Sequence, residues 1–290
     1  MNNKSRLFKL FYSGFKNVLA FGLIAVLIAS CSDLNFSGSK ADKGHMDFHL
    51  TDAPASYDEV NVDVQGLRIH YTPQSSDTVT SDTTNSDGKW IDLPLDPIRL
   101  NLLELTNGID SLIASADLDP GHYKELRLIL GDDNDVVING ETHHLKVPSG
   151  QESGYKIKFK TDLESGDDLD VTIDFDAARS VHKAGKSGKY ILKPVLKAFI
   201  SGGEDMETGS IAGNVEPLDA EATVYAIMGT DTSSTQPDSE GAFTLVGLNV
   251  GSYDLNIQPA NDAYNDTTLA DIQVNAGEEN NLGTITLSEN

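Results

Sequence analysis

Apolar and polar residues alternate through most of the chain, the period-2 signature of half-buried β-strands. Met46, Phe48 and Leu50 alternate with His45, Asp47 and His49, and Val60, Val62 and Val64 alternate with Asn61 and Asp63. After Gly66 the apolar set shifts by one position, to Leu67, Ile69 and Tyr71, which predicts a bulge at a strand glycine. Val136 to Ile138, Asn139-Gly140, and Glu141 to Val147 predict a hairpin, because Asn-Gly supplies the positive φ angles of a tight turn. No long stretch repeats at the helical period, so the expected fold class is all-β. The segment from Leu100 to Leu118 is ambiguous and could be a strand followed by a short helix.

Two further patterns bear on chemistry and organisation. Tyr155, Ile157 and Phe159 alternate with Lys156, Lys158 and Lys160; after Ser165-Gly166-Asp167, Leu169, Val171, Ile173 and Phe175 alternate with Asp168, Asp170, Thr172, Asp174 and Asp176. If these two strands pair, lysines face aspartates in cross-strand ion pairs. Alternate residues on a strand lie ~7 Å apart, so the four aspartates cannot all converge on one calcium ion. The run Leu118, Gly121, Tyr123 is echoed by Leu248, Gly251, Tyr253, each followed by alternating residues, which suggests one turn-and-tyrosine device used in two related sandwiches in tandem.

Polar, glycine-rich punctuation divides the chain. Residues 201–208 contain Ser201, Gly202, Gly203, Glu204 and Asp205 and read as a linker between blocks 44–200 and 209–290, each of a size to hold its own core. Residues 31–43 are small and polar and read as a flexible tether.

The N-terminus changes the picture. Lys4, Arg6, Lys9 and Lys16 precede an apolar run from Val18 to Ile28, and Ala29-Ser30-Cys31 follows: the three regions of a signal peptide over residues 1–30. The apolar run is shorter than the roughly 20 residues of a spanning helix. The spacing before Cys31 resembles the bacterial lipobox, which implies acylation of the thiol, as by palmitate, and cleavage that makes Cys31 the first residue. Ser32 in place of an aspartate then points to the outer membrane, so the expected location is the bacterial envelope, periplasmic or surface-exposed. Beyond residue 30 the chain keeps 17 Lys+Arg against 45 Asp+Glu, a net charge of −28. That surface repels phosphate backbones and anionic headgroups, which argues against nucleic-acid binding and leaves the N-terminal lipid as the membrane contact. With its only cysteine so used, the chain forms no disulfide and relies on its cores.

Family resemblance adds to this. Asp238, Gly241, Phe243, Leu248, Gly251 and Tyr253, with Gly209, Ile211, Gly213 and Val215 as a first strand, resemble carboxypeptidase-regulatory-like domains. That implies a transthyretin-like sandwich and carries no ligand residues. The first block, with Thr51-Asp52-Ala53-Pro54, Val147 to Gly150, Asp174 to His182 and Tyr190 to Pro194, resembles a family of envelope lipoprotein domains of unknown function. Together these imply two tandem β-sandwich domains, Ig/transthyretin-like, behind a lipoprotein signal peptide.

Within those marks, Asp52, Asp174, Asp176, Arg179, Ser180 and His182 form the candidate ligand-binding set, mixing acids, a base, a hydroxyl and an imidazole. The structural reading of the same residues is an Asp-capped turn at Thr51 to Pro54 and an internal Asp–Arg ion pair. Neither the Gly-x-Ser-x-Gly elbow nor a phosphate loop is present. His143 and His144 point to opposite faces of a strand, and His45 and His49 stand ~13 Å apart, so neither pair suits zinc; no metal and no cofactor is expected. The Ser/Thr/Asp-rich loop from Pro73 to Lys89 holds Asp77-Thr78-Val79 and Asp82-Thr83-Thr84, which look like short O-glycosylation acceptors. The expected function is a non-catalytic lipoprotein that binds an envelope partner or a glycan (carbohydrate binding). A structural spacer subunit of an envelope assembly is the alternative, and a hydrolase using His182 with Ser180 or Asp176 is the third reading. Exposed flat aromatics would favour the glycan binder, and the sole tryptophan is Trp90.

Overall fold

The computed structural model describes residues 43–73, 88–148, 153–185, 188–201 and 207–290. Cys31, the signal peptide, nearly all of the tether, linker residues 202–206 and loop residues 74–87 lie outside them, as do the expectations placed there. The described chain is all-β, two β-sandwiches in tandem. No helix among the described residues is long and apolar enough to cross a membrane.

The first sandwich is built from β1 (Gly44–Ala53), β2 (Glu59–Pro73), β3 (Lys89–Asp92), β4 (Ile98–Asn101), β5 (Ser111–Leu118), β6 (Gly121–Leu130), β7 (Asp135–Ile138), β8 (Glu141–Lys146), β9 (Tyr155–Leu163), β10 (Asp168–Asp176), β11 (Val181–Lys183), β12 (Tyr190–Leu192) and β13 (Leu196–Ile200). One short helix, α1 (Ala177–Ser180), follows β10. The second is built from β14 (Thr208–Glu216), β15 (Thr223–Met228), β16 (Asp231–Thr235), β17 (Ala242–Asn249), β18 (Gly251–Gln258), β19 (Thr267–Val274) and β20 (Glu279–Thr286).

In the first sandwich a sheet of order β13-β10-β1-β5 packs against a larger one of order β11-β12-β8-β7-β2-β6-β9, with β3 and β4 also paired to β2. Met46, Phe48, Leu50, Val171, Ile173 and Phe175 point into the core from the first sheet, and Val60, Val62, Val64, Leu126 and Leu128 from the second. The second sandwich stacks β17-β14-β20 on β16-β15-β18-β19 around Ile211, Val224, Phe243, Leu255 and Ile257.

Local signals translate directly. The register of β2 against β6 shifts between Val64 and Gly66, and the buried set changes phase there. Asn139 (φ 52°) and Gly140 (φ 76°) close the β7–β8 hairpin in left-handed backbone. The echoed tyrosines do the same job twice. Tyr123 donates its hydroxyl to the Asp119 carbonyl at 2.6 Å and Tyr253 to the Asn249 carbonyl at 3.1 Å, both rings buried and both following a glycine with φ 158°. The undecided segment from Leu100 onward resolves as the end of β4, a single 3₁₀ turn (Leu102–Glu104) and β5.

One expectation fails. β9 and β10 do not pair: β9 lies beside β6, whereas β10 crosses to the other sheet and runs parallel to β1. Two of the lysines therefore meet the glutamate of β6, with Lys158 opposite Glu125 and Lys156 salt-bridged to it. The aspartates of β10 are left on a different sheet, facing outward. Alternation specifies which face is apolar but not which strand is the neighbour, because both neighbours bury the same face.

Candidate functional site

The β1–β10–β13 ladder positions most of the candidate residues. Cross-strand partners share a face, so the pairs Asp47/Asp170, His49/Thr172 and Thr51/Asp174 line the outer face of this sheet, while Asp52 lies beside Phe175 on the inner one. Asp52 and Asp174 are thus separated by the sheet, although both line a small space of about 30 Å³ at its end.

Asp52 is buried, at 6% exposure. Its Oδ1 accepts the backbone N–H of Ala177 at 2.8 Å, and its Oδ2 has no hydrogen-bond partner. Burial drives its pKa well above the ordinary carboxylate range, opposed by the Ala177 N–H. The neighbouring Thr51 hydroxyl lies 2.8 Å from the carbonyls of both Leu105 and Ile109. The Thr-Asp-Ala-Pro mark therefore ties distant segments together, with Thr51 reaching Leu105 and Ile109 and Asp52 reaching the start of α1.

Asp176 ends β10 and is the N-cap of α1: its Oδ1 accepts the Arg179 N–H at 2.8 Å, and its Oδ2 stands 3.5 Å from the Arg179 guanidinium. Ser180 is fully buried. Its hydroxyl donates to the Asp176 carbonyl at 2.5 Å and accepts the Val195 N–H at 2.8 Å, so its one hydrogen is committed to the backbone. His182 is exposed on β11, paired in register with Ile191. Within this marked set no hydroxyl and imidazole are paired: Ser180 is bonded to the backbone of Asp176 and Val195, and His182 stands exposed on β11.

Asp174 has a different setting. It lies on the outer face where the second sandwich docks, beside Lys197 of β13 and close to Asp231 of β16. Burial first, and then the charge of Asp176, raise its pKa to about 6; Lys197 opposes the shift. Lys197 itself reaches across to Asp231 at 2.8 Å. A cleft of about 390 Å³ opens here, lined by Lys158, Asp174, Lys197, Phe199, Asp231 and Tyr253 among others.

The junction is held by residues that no sequence signal singled out. Asn107, in left-handed backbone (φ 61°), uses its amide as a strand would: its Nδ2 donates to the Ala242 carbonyl at 2.9 Å and its Oδ1 accepts the Thr244 N–H. Gly247 (φ 65°) lies against the Phe199 ring so closely that a Cβ there would overlap it. Asn107-Gly108 is a turn dipeptide, and that was the one available cue.

Farther along the same outer face, Asp47, His49 and Asp170 present one ligand atom each, all within 4.8 Å of one another. Asp110 meets His49 Nδ1 at 2.7 Å.

Solved structures with partial likeness include a type II cohesin–X-dockerin complex of Acetivibrio cellulolyticus, at 21% identity and TM-score 0.24, covering 28% of this chain. The chain spans 58% of that protein's length. The GBS52 minor pilin of Streptococcus agalactiae is 12% identical (84% of this chain, 96% of that one, TM-score 0.22), and a fimbrial protein of Bacteroides ovatus 8% identical (85% and 50%, TM-score 0.25). Overlaps of this size transfer no binding or assembly property. No curated protein matches the sequence. A family model does match residues 43–194, the first sandwich down to Pro194 and just over half of the chain, so the protein belongs to the family of the domain of unknown function DUF4382.

Proposed function

We propose that this protein is a non-catalytic, lipid-anchored accessory of the bacterial envelope. Acylation at Cys31 holds it to a membrane, most simply the outer one, and blocks 44–200 and 209–290 stand on the tether as one body that meets a protein partner. One observation carries the non-catalytic part: three of the six polar residues that the sequence marks out, Asp52, Asp176 and Ser180, are spent on backbone. Asp52 and Asp176 satisfy the first N–H groups of α1, and Ser180 bridges Asp176 and Val195. Buried polar groups so bound stabilise a fold and offer nothing to a substrate.

A protein partner is favoured over a glycan by Trp90. The Arg127 guanidinium lies 4.5 Å from its ring centroid, Arg68 5.9 Å, and His70 packs edge-on at 5.0 Å. These cations compete for the face on which a sugar would stack.

Fractionation of cells making the full chain tests the anchoring. The wild type should pellet with membranes and take up labelled palmitate, and Cys31→Ala should appear in the soluble fraction. A Cys31→Ala chain that still pellets overturns the reading.

A further inference from the structure

We infer that Asp47, His49 and Asp170 form a binding site for a divalent first-row transition cation of the zinc type. The inference is independent of the lipid anchor and of any partner.

β1 places Asp47 and His49 two residues apart, hence on one face, and the parallel register sets Asp170 directly beside Asp47. The three ligand atoms lie within 4.8 Å of one another. Metal–ligand bonds of about 2.1 Å hold two ligand atoms no more than about 4 Å apart, so the set needs only a modest inward turn. Asp170, whose side chain is 51% exposed, is free to make it.

Two further features support this set. The first is charge. Asp47, Asp110 and Asp170 have only imidazoles as ion-pair partners among the described residues: Asp47 meets His45, and both Asp110 and Asp170 meet His49. Other carboxylates of the same sandwich, such as Asp92, Asp135 and Glu125, are met by arginine or lysine. Three carboxylates grouped without a permanent cation leave a concentrated negative potential that a dication answers.

The second is orientation. Asp110, outside the ligand set, holds His49 Nδ1 at 2.7 Å, while Nε2 faces Asp170 at 3.8 Å. A carboxylate on the far nitrogen of a histidine is the arrangement that fixes the tautomer and raises the basicity of a metal ligand. The site opens into a groove of about 240 Å³ whose wall includes Thr172, Phe199 and Val246, so further coordination positions are accessible. One nitrogen and two oxygens suit zinc or manganese; calcium, which takes six to eight oxygens, is too poorly served here.

Competition between the full chain in detergent and a chromophoric zinc indicator tests the site. One zinc per chain is expected, weakened at least about tenfold in His49→Gln and in Asp170→Asn, and less in Asp110→Asn. Cobalt in place of zinc should give d–d bands that His49→Gln alters. His122→Gln, at another exposed His–Asp pair, should leave binding unchanged. Far-UV circular dichroism verifies the fold, and exposed Asp170→Asn remains informative if His49→Gln misfolds. Zinc affinity untouched by Asp170→Asn, or displacement of zinc by equimolar calcium, overturns the inference.

Discussion

The two ends of the outer β1–β10 face are made of the same kinds of residues and behave differently. At one end Thr51, Asp174 and Lys197 lie under the second sandwich; at the other His45, Asp47, His49 and Asp170 face solvent. Four aspartates on a single strand meet four fates: Asp168 is exposed, Asp170 joins an imidazole, Asp174 is desolvated until its pKa reaches about 6, and Asp176 caps a helix. A carboxylate's chemistry is set by what is packed over it, and the strand pattern is blind to that.

Removing the cover should give the largest effect. Gly247→Val adds a branched side chain in left-handed backbone against Phe199 and should cost about 3 kcal/mol, read as a lower urea midpoint and faster proteolysis between the sandwiches. Undocking should also return Asp174 toward an ordinary carboxylate.

Next comes Asp174→Asn, whose effect depends on pH. A carboxyl whose folded pKa (about 6) lies above its ordinary value of 3.8 adds stability that is fully present below pH 3.8 and lost as pH rises through 6. The variant should therefore match the wild type near pH 4 and exceed it at pH 8 by on the order of 2 kcal/mol, measured by urea unfolding at both values. Equal differences at the two pH values would contradict the desolvated setting.

Asn107→Ala removes two amide-to-backbone bonds at the junction and should lower stability by about 1 to 2 kcal/mol. Smallest of all, Asp170→Asn at the open end should change metal-free stability by less than about 0.5 kcal/mol, as a surface substitution does. A larger loss would mean that the open end is structurally engaged.

Much of the candidate set was legible as a set of marks, though not as an arrangement. Thr51, Asp52, Asp176 and Ser180 stood out by type and spacing, yet the sequence could not say that Ser180 would hold Val195 or that Asp52 would reach Ala177 across 125 positions. By strand spacing alone His45 and His49 stand too far apart to share a metal ion. The partner of His49 proved to be Asp170, brought there by a parallel pairing that alternation does not announce.

By itself the sequence determined the local structure: strands from the period-2 pattern, the bulge at Gly66, the Asn139-Gly140 turn and the twin tyrosine devices. It also fixed the surplus of negative charge and marked Cys31 as the residue to test for lipidation. These follow from backbone sterics, side-chain periodicity and composition, which act over a few residues or need no geometry. Only the tertiary structure decided that β10 crosses to β1 instead of pairing with β9, that Asn107 and Gly247 lock the two sandwiches, and which aspartates are desolvated, capped or left beside a histidine. Those outcomes depend on long-range pairing and on burial, and a run of alternating residues is equally compatible with several neighbours until the whole core is packed.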